Sequence, residues 1–308
     1  MSSPYSQLSN NIPALSLSYY YFYLMKASLS HLPESKQEEI QQIIDVIREV
    51  INPEKIILFG SYAKGAQVED TYFEKGIRYE YISDYDFLVI PKDNMIKEYV
   101  IQDKIVNRFR HLKTPVNIIV HDINYVNEGL SEGQYFFTDI IKEGVLLHDS
   151  DIFKFAVARE LTFGEQKVIA ERYFNQWFNI GQGFFNSAGF NLKHQQFNIA
   201  AFELHQAAEH FYNTVLLVFT GYKPKTHNLD KLRQYAKNLS EELFAVFPFP
   251  EKDESDKHLF DLLKRGYIDA RYKDDYLITA QELGKIIERI QKLQSVVKDI
   301  CINKINSF

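Results

Sequence analysis

The first part of the chain alternates between two hydrophobic patterns, one typical of helices and one typical of buried strands. Within 35–51, isoleucines recur at helical spacing, at Ile40, Ile43, Ile44, Ile47 and Ile51. Ser35 is placed to cap this helix, and Glu38 follows three residues later, as in a capping box. The next stretch, 55–59, is apolar after its first residue, which predicts a strand buried on both faces.

The same alternation continues to about residue 150. Three more strands are predicted from apolar runs, at 84–90, 115–121 and 144–149. Helical patterns lie between the strands, at about 62–66, 95–111 and 135–143. Strands that alternate with short helices predict a small mixed sheet covered by helices, as in an α/β (α+β) domain.

After about Asp151 the pattern is helical throughout. Helices are predicted in five places, over 165–189, 194–220, 228–243, 254–273 and 279–303. We therefore predict three parts of the chain. They are a poorly defined N-terminal extension over 1–34, the α/β domain over 35–150, and an all-α helical-bundle domain over 151–308.

Composition limits the compartment and the partners. Of the 308 residues, 45% are hydrophobic and 25% are charged, as in a soluble protein of two domains. The formal net charge of -6 argues against general nucleic-acid binding, which depends on neutralising phosphates with Lys and Arg. The single cysteine, Cys301, cannot form an internal disulfide, which favours a cytoplasmic location. The apolar stretch LSLSYYYFYLM is shorter than the roughly 20 residues of a membrane span, so we expect no membrane partner.

The stretch KIILFGSYAKG (55–65) contains a turn where the first strand ends. Gly60 permits a sharp bend and a close backbone approach to a ligand, and a helix beginning beyond it would present free N–H groups to a phosphate. Gly60 and Gly65 have the spacing of P-loop glycines, but Ala66 and Gln67 stand where a P-loop has Lys and Ser or Thr. The motif GxGxxG is absent as well. The turn therefore suits phosphate without being a P-loop.

Two acidic residues open the second strand. Residues two apart on a strand point to the same side, so Asp84 and Asp86 offer two carboxylates on one face, while Tyr85 and Phe87 face the other way. Mg²⁺ prefers oxygen ligands and is commonly held by one or two carboxylates together with substrate phosphates. Carboxylates beside a phosphate-binding turn predict a site for a metal-bound nucleoside triphosphate.

GSYAKG and SDYDFLVI together resemble the Gly-Ser and Asp-x-Asp signature of the minimal nucleotidyltransferases, a branch of the polymerase β-type superfamily. The resemblance implies that Gly60 and Ser61 hold the triphosphate of ATP or another nucleoside triphosphate. It also implies that Asp84 and Asp86 are the catalytic residues that bind Mg²⁺. Metal-assisted transfer of this kind relies mainly on positioning and on neutralising developing charge.

The sequence departs from the family pattern at two places. The segment between the turn and the acids is longer than usual because of an insertion at 67–82, which carries four acids, Glu69, Asp70, Glu74 and Glu80. The third carboxylate of the family is replaced by Asn117 on the third strand, which we assign to nucleotide binding. An amide cannot take a proton from an attacking hydroxyl. Asp122 does not replace it, because strand alternation turns Asp122 away and leaves His121 on the Asn117 face.

The helical part resembles the HEPN domain over roughly 165–303. The resemblance lies in FELHQAAEHFYNTVLLVFTGYKPKTHNLDKL (202–232) and in GYIDARY (266–272). Many HEPN domains are ribonucleases that use an Arg followed four to six residues later by His. His227 is present but the upstream Arg is absent, so RNA cleavage is not expected. The resemblance implies instead that this domain walls the nucleotide cleft, selects an acceptor or forms a homodimer.

The sequence thus predicts a Mg²⁺-dependent nucleotidyltransferase that moves a nucleoside monophosphate, AMP from ATP, to a hydroxyl. The acceptor is left open between a small molecule, such as a cationic aminoglycoside, and a protein hydroxyl. The alternative is a catalytically impaired nucleotide-binding or toxin–antitoxin-type interaction module, which Asn117 favours. In the ordinary structural interpretation, Gly60 and Ser61 form only a turn, and the acidic insertion is a solvated loop.

Overall fold

The structure is a computed structural model that describes residues 25–67, 69–74, 77–93, 96–237, 239–247 and 254–308. Most of the predicted N-terminal extension, residues 1–24, lies outside these ranges. The side chains of the four acids in the 67–82 insertion also lie outside the description, so their predicted approach to the site stays a prediction.

Six strands form the sheets. They are β1 (Pro53–Phe59), β2 (Glu69–Glu74), β3 (Ile77–Ile82), β4 (Tyr85–Pro91), β5 (Val116–Val120) and β6 (Val145–Asp149). Four of them make one mixed sheet in the order β5-β4-β1-β6. In this sheet β1 is antiparallel to both of its neighbours, and β4 is parallel to β5. The predicted small mixed sheet is therefore present.

Helices account for most of the remaining described chain. In the sheet region they are α1 (Glu34–Val50), α2 (Gly60–Lys64), α3 (Glu98–Val106), α4 (Ile123–Glu132) and α5 (Tyr135–Glu143), with a 3-10 turn at Asn107–Phe109. In the C-terminal region they are α6 (Phe163–Lys193), α7 (Phe197–Thr220), α8 (Leu229–Lys237), α9 (Glu241–Ala245), α10 (Glu254–Arg265), α11 (Asp269–Tyr272) and α12 (Ala280–Asn306). Within the described residues, no strand follows β6.

Both faces of the four-stranded sheet are covered, which explains why its strands read as continuous apolar runs. Side chains alternate along β4, so Phe87 enters a core with α1, and Leu88 enters a core on the opposite face. The predicted isoleucine stripe of α1 is buried against the first of these faces. The second face packs against α4 and α5, and Tyr222 and Tyr235 from the C-terminal region join the same cluster. The helical region is therefore packed directly on the sheet domain.

The helical region has its own core, in which α7 is the central element. Most residues of α7 are buried, and α6 and α12 pack against it. Both long neighbours begin with a capping box, Thr162 with Glu165 and Thr279 with Glu282. A predominantly helical C-terminal part agrees with the prediction. None of the described helices combines the length and apolar character needed to cross a lipid bilayer.

The structure differs from the sequence predictions at five places. The predicted Ser35 cap is not formed, since α1 begins at Glu34 after Pro33 and has no side-chain cap hydrogen bond. The insertion at 67–82, for which no secondary structure is predicted, contains an antiparallel hairpin of β2 and β3. Its strands are rich in Tyr, Phe, Thr and Ile, which favour extended structure.

The other three differences are in helices. The sequence gives no helix for α4, one helix where α8 and α9 are separate, and one where α10 and α11 are separate. Gly266 follows α10, and a side chain there would meet the Ala201 carbonyl oxygen at 2.8 Å.

Candidate active site

The two predicted acids lie where β4 begins and are close to each other. Asp84 directly precedes the strand and Asp86 is its second residue, with only 3% and 7% of their surfaces exposed. Tyr85 and Phe87 point into the α1 core on the other face, as strand alternation requires. The charge of Asp84 acts on Asp86 strongly enough to change its protonation. The predicted sharing of one face is therefore seen in the structure.

The glycine turn comes directly against this pair. In the antiparallel pairing of β1 with β4, Phe59 is opposite Asp86, so Gly60 begins α2 beside the carboxylate. Gly60 has a φ of 74°, which side chains disfavour, and a β-carbon added there would lie 2.5 Å from Asp86 Oδ2. Glycine is thus required at this position for both its backbone angle and the space it leaves.

Ser61 presents a polar atom at the same turn. Its Oγ is shielded from solvent and has no hydrogen-bond partner among the described residues. Buried hydroxyls are nearly always hydrogen-bonded, and leaving one unpaired costs about 1–3 kcal/mol. The Ser61 hydroxyl is therefore available to hydrogen-bond a ligand at the turn beside Asp86.

Asn117 is where the third carboxylate was expected. The parallel pairing of β4 and β5 puts it opposite Asp86, and its Nδ2 donates a 2.9 Å hydrogen bond to Asp86 Oδ1. Asp122 does not take its place, because its carboxylate accepts a hydrogen bond from the Tyr125 amide and caps α4. The described structure therefore brings two carboxylates and one amide together at this site.

Two residues of α8 complete the surroundings of Asp84, and the sequence analysis missed both. Gln234 Nε2 donates a hydrogen bond to Asp84 Oδ2, and the buried Lys237 ammonium lies 3.6 Å from Asp84 Oδ1. The only signal in the sequence is that α8 is amphipathic and has polar residues on its buried side. That pattern shows which face is buried, but it does not show that the face meets Asp84.

The electrostatics of the pair are those of incompletely compensated carboxylates. Burial, and after it the negative charge of Asp84, raises the pKa of Asp86 to about 7. The Asn117 hydrogen bond and the charge of Lys237 lower this pKa but do not outweigh the other two causes. Burial also raises the pKa of Asp84, although the Lys237 charge and the Gln234 hydrogen bond oppose this. One lysine and two amide donors thus do not fully stabilise two negative charges here.

The donors present fit a small divalent cation bound to two carboxylates. Asp84 Oδ1 accepts no hydrogen bond from any residue that the structure describes, so one carboxylate oxygen is left for another ligand. Across the same residues, no group of three or more His, Cys, Asp or Glu side chains is arranged for a metal ion. A cation at this site would therefore depend on other oxygens, as Mg²⁺ does when it binds substrate phosphates and water.

A cavity of about 380 Å³ is lined by residues of both the sheet domain and the helical region. We call it the interdomain cavity and define it by six of its lining residues, Lys97, Glu98, His121, Lys225, Lys231 and Tyr235. Tyr235 connects this cavity with the acid pair. It lines the cavity, and burial together with the charge of Asp86 raises its pKa.

His227, the candidate for RNA cleavage, lies away from the acid pair. Its Nδ1 is 3.0 Å from both carboxylate oxygens of the buried Glu209, and its ring stacks on Tyr267. Arg271 also lies against Tyr267, and its Nε donates to the Tyr267 carbonyl oxygen. This arrangement differs from an Arg placed four to six residues before His on the same segment.

Comparison with known families identifies the helical region. Residues 174–300 match the family model of the HEPN domain, which supports a HEPN domain in that range. The match covers α7 to α11 entirely and most of α6 and α12. A search among curated proteins gave no match to the chain.

Proposed function

We propose that the protein is a Mg²⁺-dependent nucleotidyltransferase that moves a nucleoside monophosphate, AMP from ATP, to the hydroxyl of an acceptor. The observation that carries the proposal is the convergence of Gly60 on Asp86, with Asp84 beside it and an unsatisfied Ser61 hydroxyl at the same turn. A turn that accepts polyphosphate and a pair of carboxylates that binds a cation are the two parts such a reaction needs.

Each residue has a separate task in this proposal. Asp84 and Asp86 hold the cation, and Asn117 fixes the orientation of the Asp86 carboxylate through its hydrogen bond. Gly60 lets the Asp86 carboxylate lie directly against the turn, and the Ser61 hydroxyl donates a hydrogen bond to a phosphate oxygen. Bound Mg²⁺ would supply neutralisation of the negative charge that develops on the phosphates.

Lys237 takes the place of the cation in this proposal when no metal is bound. Its ammonium compensates part of the charge of the acid pair when no metal is bound. Two buried carboxylates repel each other, so a cation from the protein itself keeps them together in the absence of Mg²⁺. Binding of Mg²⁺ and nucleotide then requires Lys237 to move away from Asp84. This happens either by a movement of α8 or by a change in the side-chain conformation of Lys237.

The proposal is tested with Asp84→Asn and Asp86→Asn in an assay for label transfer from α-labelled ATP. Both variants are expected to reduce transfer by about 10³-fold or more, because they remove a carboxylate that holds the cation needed to neutralise the reacting phosphates. Asp299→Asn, on the exposed surface of α12, makes the same chemical change and should keep full activity. Undiminished transfer in either site variant contradicts the metal assignment.

The second candidate is the impaired nucleotide-binding or interaction module, and two observations favour it. Asn117 donates a hydrogen bond where a base would have to accept a proton, and Lys237 already compensates the acids. One experiment distinguishes the enzyme from the interaction module. Calorimetric binding of Mg²⁺ and ATP, with no pyrophosphate released over a broad panel of hydroxyl acceptors, favours the module over the enzyme.

The structure does not test the remaining expectations. The homodimer, the cytoplasmic location and the choice between a small-molecule and a protein acceptor stay predictions from the sequence.

A further inference from the structure

The interdomain cavity carries an excess of positive charge in a protein whose net charge is negative. Lys97, Lys225 and Lys231 line it, against the single carboxylate of Glu98. Lys225 is held over the ring of Tyr125 at 4.6 Å and lies 3.4 Å from Glu98 Oε1. Three ammonium groups and one carboxylate therefore line the cavity, and this balance attracts an anion.

Lys231 is held at the cavity wall from its outer side. Its ammonium donates to Gln102 Oε1 at 3.3 Å and lies 3.7 Å from Asp103 Oδ1. The Asp103 side chain is exposed and does not line the cavity, so it orients Lys231 without adding a negative charge to the interior. The lysine is positioned before any ligand arrives.

The N-terminus of α3 opens onto the same space. Lys97 is its N-cap and makes no side-chain capping hydrogen bond within the described part of the chain. The helix is nine residues long, and the first N–H groups of such a helix attract negative charge. The helix end adds to the field of the three lysines.

A buried imidazole supplies an independent observation. His121 is only 2% exposed and lines the cavity, and its Nε2 is 2.7 Å from the Tyr222 hydroxyl. Its Nδ1 makes no hydrogen bond of normal length among the residues described, and Glu98 Oε1 lies 3.5 Å away as its charged partner. Buried polar atoms usually make a full hydrogen bond. The Nδ1 atom is therefore available to hydrogen-bond a ligand in the cavity.

We propose that the interdomain cavity binds a small phosphomonoester, with its phosphate among Lys97, Lys225, Lys231 and the N-terminus of α3. A phosphomonoester carries a charge of about -1.5 to -2 at pH 7 and three strong acceptor oxygens, so one phosphate can contact several of these ammonium and N–H groups at once. His121 Nδ1 hydrogen-bonds the ligand, and the tyrosines of the walls contact its apolar part.

The proposal rests on the proposed function in one respect, that the bound phosphomonoester is the acceptor of the nucleotidyl group. Tyr235 lines the cavity, and the charge of Asp86 raises its pKa, so we place the reacting hydroxyl of the ligand on the Tyr235 side of the cavity. A cationic acceptor of the aminoglycoside kind is disfavoured, because it would enter a cavity that is already positively charged.

The first test measures binding without nucleotide or Mg²⁺. Ribose 5-phosphate, glucose 6-phosphate and glycerol 3-phosphate are titrated calorimetrically into the full-length protein, with ribose, glucose and glycerol as unphosphorylated counterparts. We expect at least one phosphomonoester to bind and its counterpart not to bind. The double variant Lys225→Gln/Lys231→Gln should weaken this binding at least tenfold.

The matched control is Lys292→Gln/Lys298→Gln, which removes two exposed lysines of α12 and the same amount of charge. It should bind like the parent protein. If none of the phosphomonoesters binds, or if the two double variants bind equally well, the proposed site is wrong. Circular dichroism of both variants verifies that each one is folded.

The second test separates this proposal from the proposed function. Binding of the phosphomonoester should persist in Asp84→Asn and in the presence of Mg²⁺ and a non-hydrolysable ATP analogue. Competition with the analogue overturns the acceptor role, because the cavity then belongs to the nucleotide. Binding without label transfer from α-labelled ATP contradicts the proposed function and leaves the cavity site standing. If label is transferred to a hydroxyl compound but no phosphomonoester binds, the proposed function is supported and the cavity site is wrong.

Discussion

Two buried clusters of carboxylates with a lysine lie in the sheet domain, and they differ in how completely the charges are compensated. The first, which we call the edge cluster, consists of Glu54, Lys55 and Asp149 on the neighbouring strands β1 and β6. The second is the acid pair, Asp84 and Asp86, with Lys237 reaching it from α8. Both contain two acids and one lysine, so the difference lies in their other partners.

In the edge cluster the charges and polar atoms are well satisfied. Lys55 Nζ is 2.5 Å from Asp149 Oδ1, and Glu54 accepts hydrogen bonds from the Ser150 hydroxyl and from the Phe153 amide. Burial raises the pKa of Glu54, but these hydrogen bonds and the charge of Lys55 outweigh it and leave the pKa below its ordinary value. The cluster fastens the segment after β6 to the sheet.

At the acid pair the balance is reversed. The pKa values of both aspartates are raised, first by burial, and for Asp86 also by the charge of its neighbour. Lys237 is 3.6 Å from Asp84, a longer separation than that between Lys55 and Asp149. A buried charge without full compensation is costly and is most often kept for binding or catalysis. The comparison therefore assigns stability to the edge cluster and ligand binding to the acid pair.

The largest effect is expected for Lys55→Gln. It leaves the buried Glu54 and the partly exposed Asp149 without their cation and should lower the free energy of unfolding by about 3–5 kcal/mol. Urea denaturation measures the loss, with the exposed Lys298→Gln as a control that stays near the parent value. Added Mg²⁺ should make no difference, because the edge cluster is not a metal site. Rescue by Mg²⁺ would remove the distinction between the clusters.

A smaller loss, about 2–3 kcal/mol at pH 8, is expected for Lys237→Gln. Asp84 and Asp86 take up protons more readily than ordinary carboxylates, and this relieves part of the cost of the missing ammonium. Millimolar Mg²⁺ should restore stability in this variant and stabilise the parent protein less, because the metal replaces the lost cation. Equal stabilisation of the two proteins by Mg²⁺ would mean that Lys237 does not occupy the cation's place.

The smallest effect concerns pH. Because the pKa of Asp86 is raised to about 7 in the folded state from an ordinary value of 3.8, the folded protein binds this proton more tightly than the unfolded chain. Stability from this group is therefore present at low pH and is lost as the pH rises from about 4 through 7. Asp86→Asn removes the loss, so in EDTA its stability relative to the parent should increase by about 1–2 kcal/mol from pH 6 to pH 8. Asp299→Asn should show a constant difference over this range.

The parts of the fold and site that the sequence predicts are those set by local patterns. The isoleucine spacing of α1 and the apolar run of β1 follow from periodicity alone. The meeting of Gly60 with Asp86 follows from a glycine at one strand end and an acid at the start of the next apolar strand. Each of these features depends on a few residues that are close together in the sequence or on the spacing of apolar residues.

The partners that come from distant segments could not be predicted in the same way. Gln234 reaches Asp84 across 150 positions of sequence, and nothing near either residue indicates that they meet. The helix α4 was missed because its sequence contains glycine and asparagine, which favour turns. The structure stabilises it through the Asp122 cap and the buried Val126 and Leu130. Tertiary packing decided both cases.

The nine residues of α8 contact two places at once. Lys231 and Tyr235 line the interdomain cavity, whereas Gln234 and Lys237 contact Asp84. A ligand that displaces this helix from one place alters the occupancy of the other, and such thermodynamic coupling is reciprocal by necessity. If a cavity ligand changes the affinity for the cation by some factor, the cation changes the affinity for the ligand by the same factor. In the proposed enzyme, one short helix therefore couples binding of the cation to binding of the cavity ligand.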